Sequence, residues 1–366
     1  MPIYIHSSLS YSACGDSSKG PLTFNPQENA WVDVPSQAKV PFYKMDGLAI
    51  NSSEQRVFST LTNITEQLIK KSGLSSQALA KTALMLGSTS LDIGTIQPQE
   101  GETIWLPKID RLTEHLQQTL GLSQCHLVFN TACTASVNAL LYGKGLLENS
   151  SIEQVIVIGC EFYNHLTVDG FHSLDLISPS KLRPFTFDRE GLVLGEGIGA
   201  LLLTKNPPKR SHYFSVLGGY SACDTSSLTM TAEDGSHITT VLEQAVQDAN
   251  LDKTDIDLVK VHGTATYNND ISEFQGLKQY FALPPPIIAF KPYLGHTLGA
   301  CGALEIAIMD ELLNSEIIPV PDTQAENLML PFAAESTALN SYQHILINHC
   351  GFGGNNAALV LKTEHL

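Results

Sequence analysis

Basic residues are scarce in this chain: 21 lysines and arginines stand against 37 aspartates and glutamates in 366 residues, a formal net charge of −16. Nucleic acid is excluded as a partner on that ground, because its phosphates demand clustered Lys and Arg. Long apolar runs are missing too. Stretches such as Val155 to Ile158 and Ala200 to Leu203 fall far short of the roughly 20 residues a bilayer requires, so no membrane span is expected. The opening residues MPIYIHSSLS lack a basic segment followed by an apolar one and a small-residue cleavage site. Secretion is not signalled, and a cytoplasmic location is the expectation. The seven cysteines, at 14, 125, 133, 160, 223, 301 and 350, contain no CxxC pair and no Cys/His spacing suited to zinc. They read as reduced thiols, mostly small buried apolar residues, and no metal is implied.

What is present is an ordinary globular composition, 43% hydrophobic and 16% charged, enough for one large core or two moderate ones. Strand-like and helix-like segments alternate, which predicts an α/β architecture with buried sheets. An internal echo runs through it. The glycines and apolar run of 195–204 resemble those of 353–362, the apolar strand 153–159 resembles 342–348, and each strand follows a helix, ending in Leu146 to Ser150 and Leu312 to Ser315. Matching order over four elements predicts two duplicated halves, 1–205 and 206–366, joined at the polar connector Asn206-Pro-Pro-Lys-Arg210.

Three residues carry the candidate chemistry. Cys133 follows an apolar strand and a small-residue turn and precedes a helical pattern, which predicts a thiol at a helix N-terminus, where unpaired amides and the dipole lower its pKa. His262 opens His-Gly-Thr-Ala-Thr266 after the strand 256–261, and His296 sits where Gly295 leads into a helix rich in Gly and Ala. A cysteine or histidine at such a place is more often a packed structural residue. One thiol and two imidazoles at a single site would instead make a nucleophile with proton-handling partners.

Taken together these motifs resemble the β-ketoacyl-acyl-carrier-protein synthases, elongating condensing enzymes of the thiolase-like fold. The resemblance covers nearly the whole chain: Thr131-Ala-Cys-Thr134, His262 to Thr266 with Asn269-Asp270, Lys291 with Gly295-His296, Glu305 nine residues later, the block from Arg183 to Gly197, and Gly351-Phe-Gly-Gly354. It implies a duplicated α-β-α-β-α layered fold and a decarboxylative condensation of an acyl thioester with a malonyl group on an acyl carrier protein, in fatty-acid or polyketide-type synthesis. Cys133, His262 and His296 would be catalytic, with Lys291 and Glu305 behind them. The backbone amides of Cys133 and Phe352 would receive the oxyanion, Gly351 to Gly353 would form the gating loop, and no cofactor would be needed. Lys39 and Lys44 resemble the basic stretch that holds an acidic carrier. The working unit would be a homodimer, or a heterodimer with a second ketosynthase, paired through the strand from Ser150 to Gly159.

Departures from the pattern also carry meaning. The chain is shorter than typical elongating synthases, with few residues between Gly87 and Cys133 and a first helix that reads as truncated. Leu192 stands where a phenylalanine is usual and so enlarges the acyl pocket, Thr186 replaces an aspartate, and Cys350 replaces an aromatic residue as a packing change. Short chains of this kind resemble those of bacterial aryl polyene pathways, which act beside a second synthase subunit. The alternative function is a chain-length-factor-like partner subunit with weak or specialised activity.

Overall fold

The computed structural model describes residues 2–24, 30–34, 38–51, 53–96, 108–123, 125–225, 232–321 and 327–366. In chain order the first part contains β1 (Ile3–Ser12), β2 (Gly15–Asp16), β3 (Ala30–Asp33), β4 (Lys39–Tyr43), α1 (Glu54–Ser72), α2 (Ser76–Leu79), β5 (Ala83–Gly87), α3 (Arg111–Leu120) and β6 (His126–Phe129). Next come α4 (Ala135–Asn149), β7 (Gln154–Glu161), α5 (His165–Ser173), β8 (Leu194–Gly195) and β9 (Gly197–Thr204). The second part holds β10 (His212–Cys223), α6 (Ser236–Asp248), β11 (Leu258–Lys260), α7 (Tyr267–Phe281), β12 (Ile287–Ile288), α8 (Lys291–Leu294), α9 (Cys301–Leu312), β13 (His344–Cys350) and β14 (Asn355–His365).

The strands join in the order β12-β11-β13-β14-β10-β1-β9-β7-β5-β6, while β3, β4 and β8 form a small separate sheet. From the central β1–β10 pair the order runs outward alike on both sides. Two antiparallel steps lead to two parallel ones, through β9, β7, β5 and β6 on one side and β14, β13, β11 and β12 on the other. We take this mirrored order as support for proposing the halves 1–205 and 206–366.

Alternation within single strands explains the layering. Val155 and Val157 of β7 face a core shared with α4 and α9, whereas Ile156 and Ile158 face a second core built with α1 and α3. In β13, Ile345 and Ile347 join the shared core, and Leu346 joins a third core under α6. Side chains of period two with both faces buried are what a sheet sandwiched between helices requires. The α-β-α-β-α thiolase-like fold expected from the sequence is therefore present. Helix α9 is apolar nearly all round and buried at all but one of its positions, as a middle-layer helix must be. Gly302 lets it approach α4, since a Cβ there would meet the side chain of Val137, and Ala303 N donates to Ser136 Oγ at 3.0 Å across the contact.

Two expectations need correction. The first helix is not truncated: α1 runs nineteen residues, capped by Ser53 at its start and by Gly73 in the left-handed conformation at its end. The strand proposed for subunit pairing, β7, is paired along its length with β5 on one side and β9 on the other. Its apolar run is covered by the chain's own helices, so it has no edge to offer a partner. The outermost strand on that side is β6. No helix among the described residues is long and apolar enough to cross a membrane.

Candidate active site

The turn that carries Cys133 begins where β6 ends. Residues 132–134 form one 3-10 turn that runs directly into α4, and Ala132 adopts φ +49°, a left-handed conformation rare for a residue with a Cβ. Contacts from β14 hold the turn: Thr134 Oγ1 donates to Asn355 Oδ1, and Asn138 Nδ2 donates to the same oxygen at 2.9 Å.

His296 enters from the other half. Its backbone N–H donates to Val193 O at 2.6 Å, and its carbonyl accepts from Gly195 N at 3.1 Å, so an isolated bridge to the strand before β9 fixes the residue. Its ring reaches Cys133, with Nε2 3.1 Å from Sγ. His262 follows β11, and Glu273 of α7 clamps its loop by accepting from His262 N at 2.6 Å and Gly263 N at 2.9 Å. The two imidazoles lie edge to face with centroids 5.2 Å apart. Thus the structure brings Cys133, His262 and His296 to one place, on the wall of a cavity of about 460 Å³ that Leu192, Cys350 and Phe352 also line.

Burial dominates the electrostatics. It pushes the Cys133 thiol up to about 11, although the backbone amides of Phe352 and Cys133 and the Lys291 ammonium pull the other way. The expected low-pKa thiolate is therefore corrected: desolvation of the charge outweighs the helix start. Burial first, and then the Lys291 ammonium, hold both imidazoles well below the usual histidine range, so they are neutral. The three donor atoms lie within 4.8 Å of one another. The positive charge of Lys291 beside them opposes a cation.

Lys291 donates to the His262 carbonyl at 2.6 Å and to Glu305 Oε1 at 3.0 Å. It therefore holds the backbone of His262 rather than its ring. Phe352 is 40% exposed at the cavity mouth and stacks on Phe171 with centroids 5.3 Å apart. Beside it, Gly353 has φ +83°, which favours glycine, and Gly351 N donates to Asn355 O at 2.8 Å. Cys350 is buried, and burial raises its thiol well above the usual range, in keeping with a packing role. Thr186 leaves Arg183 without an acid at that position, and Asp188 supplies one, its Oδ2 accepting from Arg183 Nη1 at 2.6 Å. Lys39 and Lys44 do not reach the cavity. Lys39 lies 4.0 Å from Asp33, and Lys44 donates to the Leu48 carbonyl at 3.1 Å.

Four buried residues at the site went unread in the sequence. Glu161 accepts from Thr89 N, Ser90 N and Gly299 N, tying the loop after His296 to the end of β5. Burial nonetheless pushes its carboxyl up to about 7. Lys260, Cys301 and His349 form a cluster behind the histidines, with Lys260 sharing Glu305 with Lys291. The available signal was a lysine and a histidine inside otherwise apolar strands, where such residues rarely sit unpaired.

Comparison with known proteins accords with this geometry. A model of the β-ketoacyl synthase N-terminal domain matches residues 55–208, and one of its C-terminal domain matches residues 213–321. The chain is 26% identical over 285 residues to 3-oxoacyl-acyl-carrier-protein synthase 2 of Vibrio harveyi, covering 72% of this chain and 69% of that protein. It is 28% identical over 252 residues to a protein of Streptomyces cyaneus named as a polyketide β-ketoacyl synthase 1, covering 63% and 59%. Among solved structures, a chain from the complex of a ketosynthase with its chain length factor, from Xenorhabdus doucetiae, superposes with a TM-score of 0.83 at 23% identity, covering 99% of this chain and 98% of that one.

Proposed function

The chain belongs to the β-ketoacyl synthase family, and on that basis we propose that it is a condensing acyltransferase that extends a carrier-bound acyl chain, with Cys133, His262 and His296 as its catalytic residues. The observation that carries this reading is the 3.1 Å approach of Cys133 Sγ to His296 Nε2 on the wall of a cavity. A thiol raised to about 11 needs a base within reach, and a neutral imidazole is one.

In the first half-reaction His296 Nε2 takes the thiol proton while Sγ attacks the acyl carbonyl. The carrier sulfur departs with the electron pair of the broken C–S bond and receives that proton. The amides of Cys133 and Phe352 donate to the oxyanion formed on the way. A malonyl thioester then enters. His262 and His296, the latter now in the tautomer that carries its proton on Nε2, donate to its thioester carbonyl oxygen; the bond to the carboxylate breaks as carbon dioxide leaves, and its electron pair becomes an enolate. The enolate carbon attacks the acyl-cysteine carbonyl, the new C–C bond forms, and Cys133 sulfur leaves with the electron pair of the broken C–S bond and takes a proton from solvent. Lys291 and Glu305 act by holding the His262 loop, Leu192 shapes the acyl pocket, and the 351–353 loop gates it. The reaction so written uses neither metal nor organic cofactor.

The family operates in fatty-acid and polyketide synthesis, and within it we place this chain in a specialised, aryl polyene-type pathway beside a second ketosynthase. A purely chain-length-setting subunit has no use for a thiol and two imidazoles in one cavity, which favours catalysis over that second reading. The test is the intact mass of the chain purified with and without candidate acyl carriers. An acyl adduct mapped to Cys133 is the expected result, and its absence with every carrier would overturn the reading.

A further inference from the structure

We propose that Lys260, His349 and Cys301 form a one-way hydrogen-bond relay that positions the nucleophile turn, with His349 as a positioning residue of the site. The inference rests on the reading of Cys133 as the nucleophile. The three side chains come from β11, β13 and the first residue of α9, and all are fully buried. Lys260 pairs with Ile347 in the parallel ladder, which puts His349, two residues on, on the same face, turned to the middle layer.

The directions of the bonds follow from donor chemistry. Lys260 Nζ contacts Glu305 and lies 2.8 Å from His349 Nε2. Paired with the Glu305 carboxylate, the Lys260 ammonium has donors only, so His349 Nε2 accepts. The ring is neutral, since burial and the neighbouring lysines hold it well below the usual histidine range, and its one proton is therefore on Nδ1. That nitrogen lies 3.3 Å from Cys301 Sγ, so His349 donates to the sulfur. The Cys301 thiol is left to donate onward, and its partner is the Cys133 carbonyl oxygen at 3.1 Å.

The relay ends on the peptide of the nucleophile itself. The residue before it is Ala132, whose left-handed backbone persists only where surrounding contacts over-determine it. A buried lysine is also an expensive place to begin a chain of bonds unless each link is used.

The experiment compares Cys301→Ala, which removes the donor, with Cys301→Ser, which keeps one. It uses the full chain and measures the rate of iodoacetamide labelling at Cys133 by peptide mass, together with kcat and KM for acyl loading. Cys301→Ala is expected to slow both labelling and kcat about tenfold, the loss of one working hydrogen bond, with KM unchanged. Cys301→Ser is expected to stay within about twofold of the parent. His349→Ala should match Cys301→Ala, and the double variant should be no worse than either, because links in series fail together. Equal losses in the Ala and Ser variants, or a double loss equal to the product of the single ones, would overturn the relay. Labelling reports the turn without any acyl group. A chain that labels with the predicted Ala/Ser contrast but never accepts an acyl group keeps the relay and loses the condensation reading.

Discussion

Cys133 Sγ and His296 Nε2 lie 3.1 Å apart, and they come from the two halves of the chain, one from the turn before α4 and the other from the segment between α8 and α9. Both helices sit in the middle layer and pack on each other, which brings the two segments to one place. His262 has no such contact with the thiol and is held instead by Glu273 and Lys291. The two imidazoles are thus unequal, which the sequence motifs do not express.

Replacing the nucleophile separates the two half-reactions. Cys133→Ala is expected to abolish acyl loading and condensation with the fold intact, while malonyl decarboxylation continues because the histidines remain. Product release and carbon dioxide release are measured on the same sample. Condensation at the parental rate would remove Cys133 from the mechanism.

The inequality of the histidines predicts a pH-dependent difference between their variants. Because burial raises the thiol to about 11, the thiolate fraction at neutral pH is small and grows about tenfold per pH unit up to that value. Without its base, His296→Ala is expected to load acyl groups on the order of 100-fold more slowly at pH 7, with the deficit narrowing as pH rises. His262→Ala should load within a few-fold of the parent and lose decarboxylation. Equal loading defects in both variants across pH would contradict the assignment of His296 as the base.

Much of this arrangement was legible in advance, and the exceptions share a cause. The apolar run 154–160 is visibly a strand covered on both faces, but composition does not say by what, and the chain's own helices cover it rather than a partner. The position of Cys133 before a helix was readable from the small-residue turn, whereas the sign of its pKa shift depended on burial, a tertiary quantity. Lys260, Cys301 and His349 belong to no local motif. They meet only because β11, β13 and α9 adjoin in three dimensions.

Leu192 is buried beside Cys133 in one apolar cluster and lines the cavity. Filling the space with a ring should shorten the chain the site accepts. Leu192→Phe is expected to move the product distribution by at least one two-carbon extension toward shorter chains, read by mass spectrometry of carrier-bound products. An unchanged distribution would place the acyl chain along another wall.

Carrier docking is proposed at Lys39 and Lys44, the first 64% exposed and only loosely paired with Asp33. Charge reversal at both positions is expected to raise KM for carrier-bound substrate several-fold, more at low salt than at 0.5 M, with kcat unchanged. If KM does not move at either salt concentration, the carrier docks elsewhere.

The sheet has a free edge at β6 among the described residues. Strand β6 pairs with β5 on one side, and among the described residues no strand pairs with the other. Leu127 on that strand is 40% exposed, and Tyr142 on the adjoining face of α4 is 54% exposed, beside an open groove of about 720 Å³. An unpaired edge flanked by apolar side chains is a template for strand addition, and a second ketosynthase chain presenting the same edge would cover both. We therefore propose that β6, not β7, joins the subunits. Leu127→Lys is expected to halve the mass seen by light scattering, with the melting temperature of the subunit little changed because Leu127 is part of none of the buried core clusters. Charge decides which partner is preferred. Two copies of net charge −16 repel, so a homodimer should tighten as salt rises, whereas pairing with a less acidic synthase should outcompete it at low salt. A Leu127→Lys variant that keeps the parental mass, with either partner present, would return the interface to another face of the molecule.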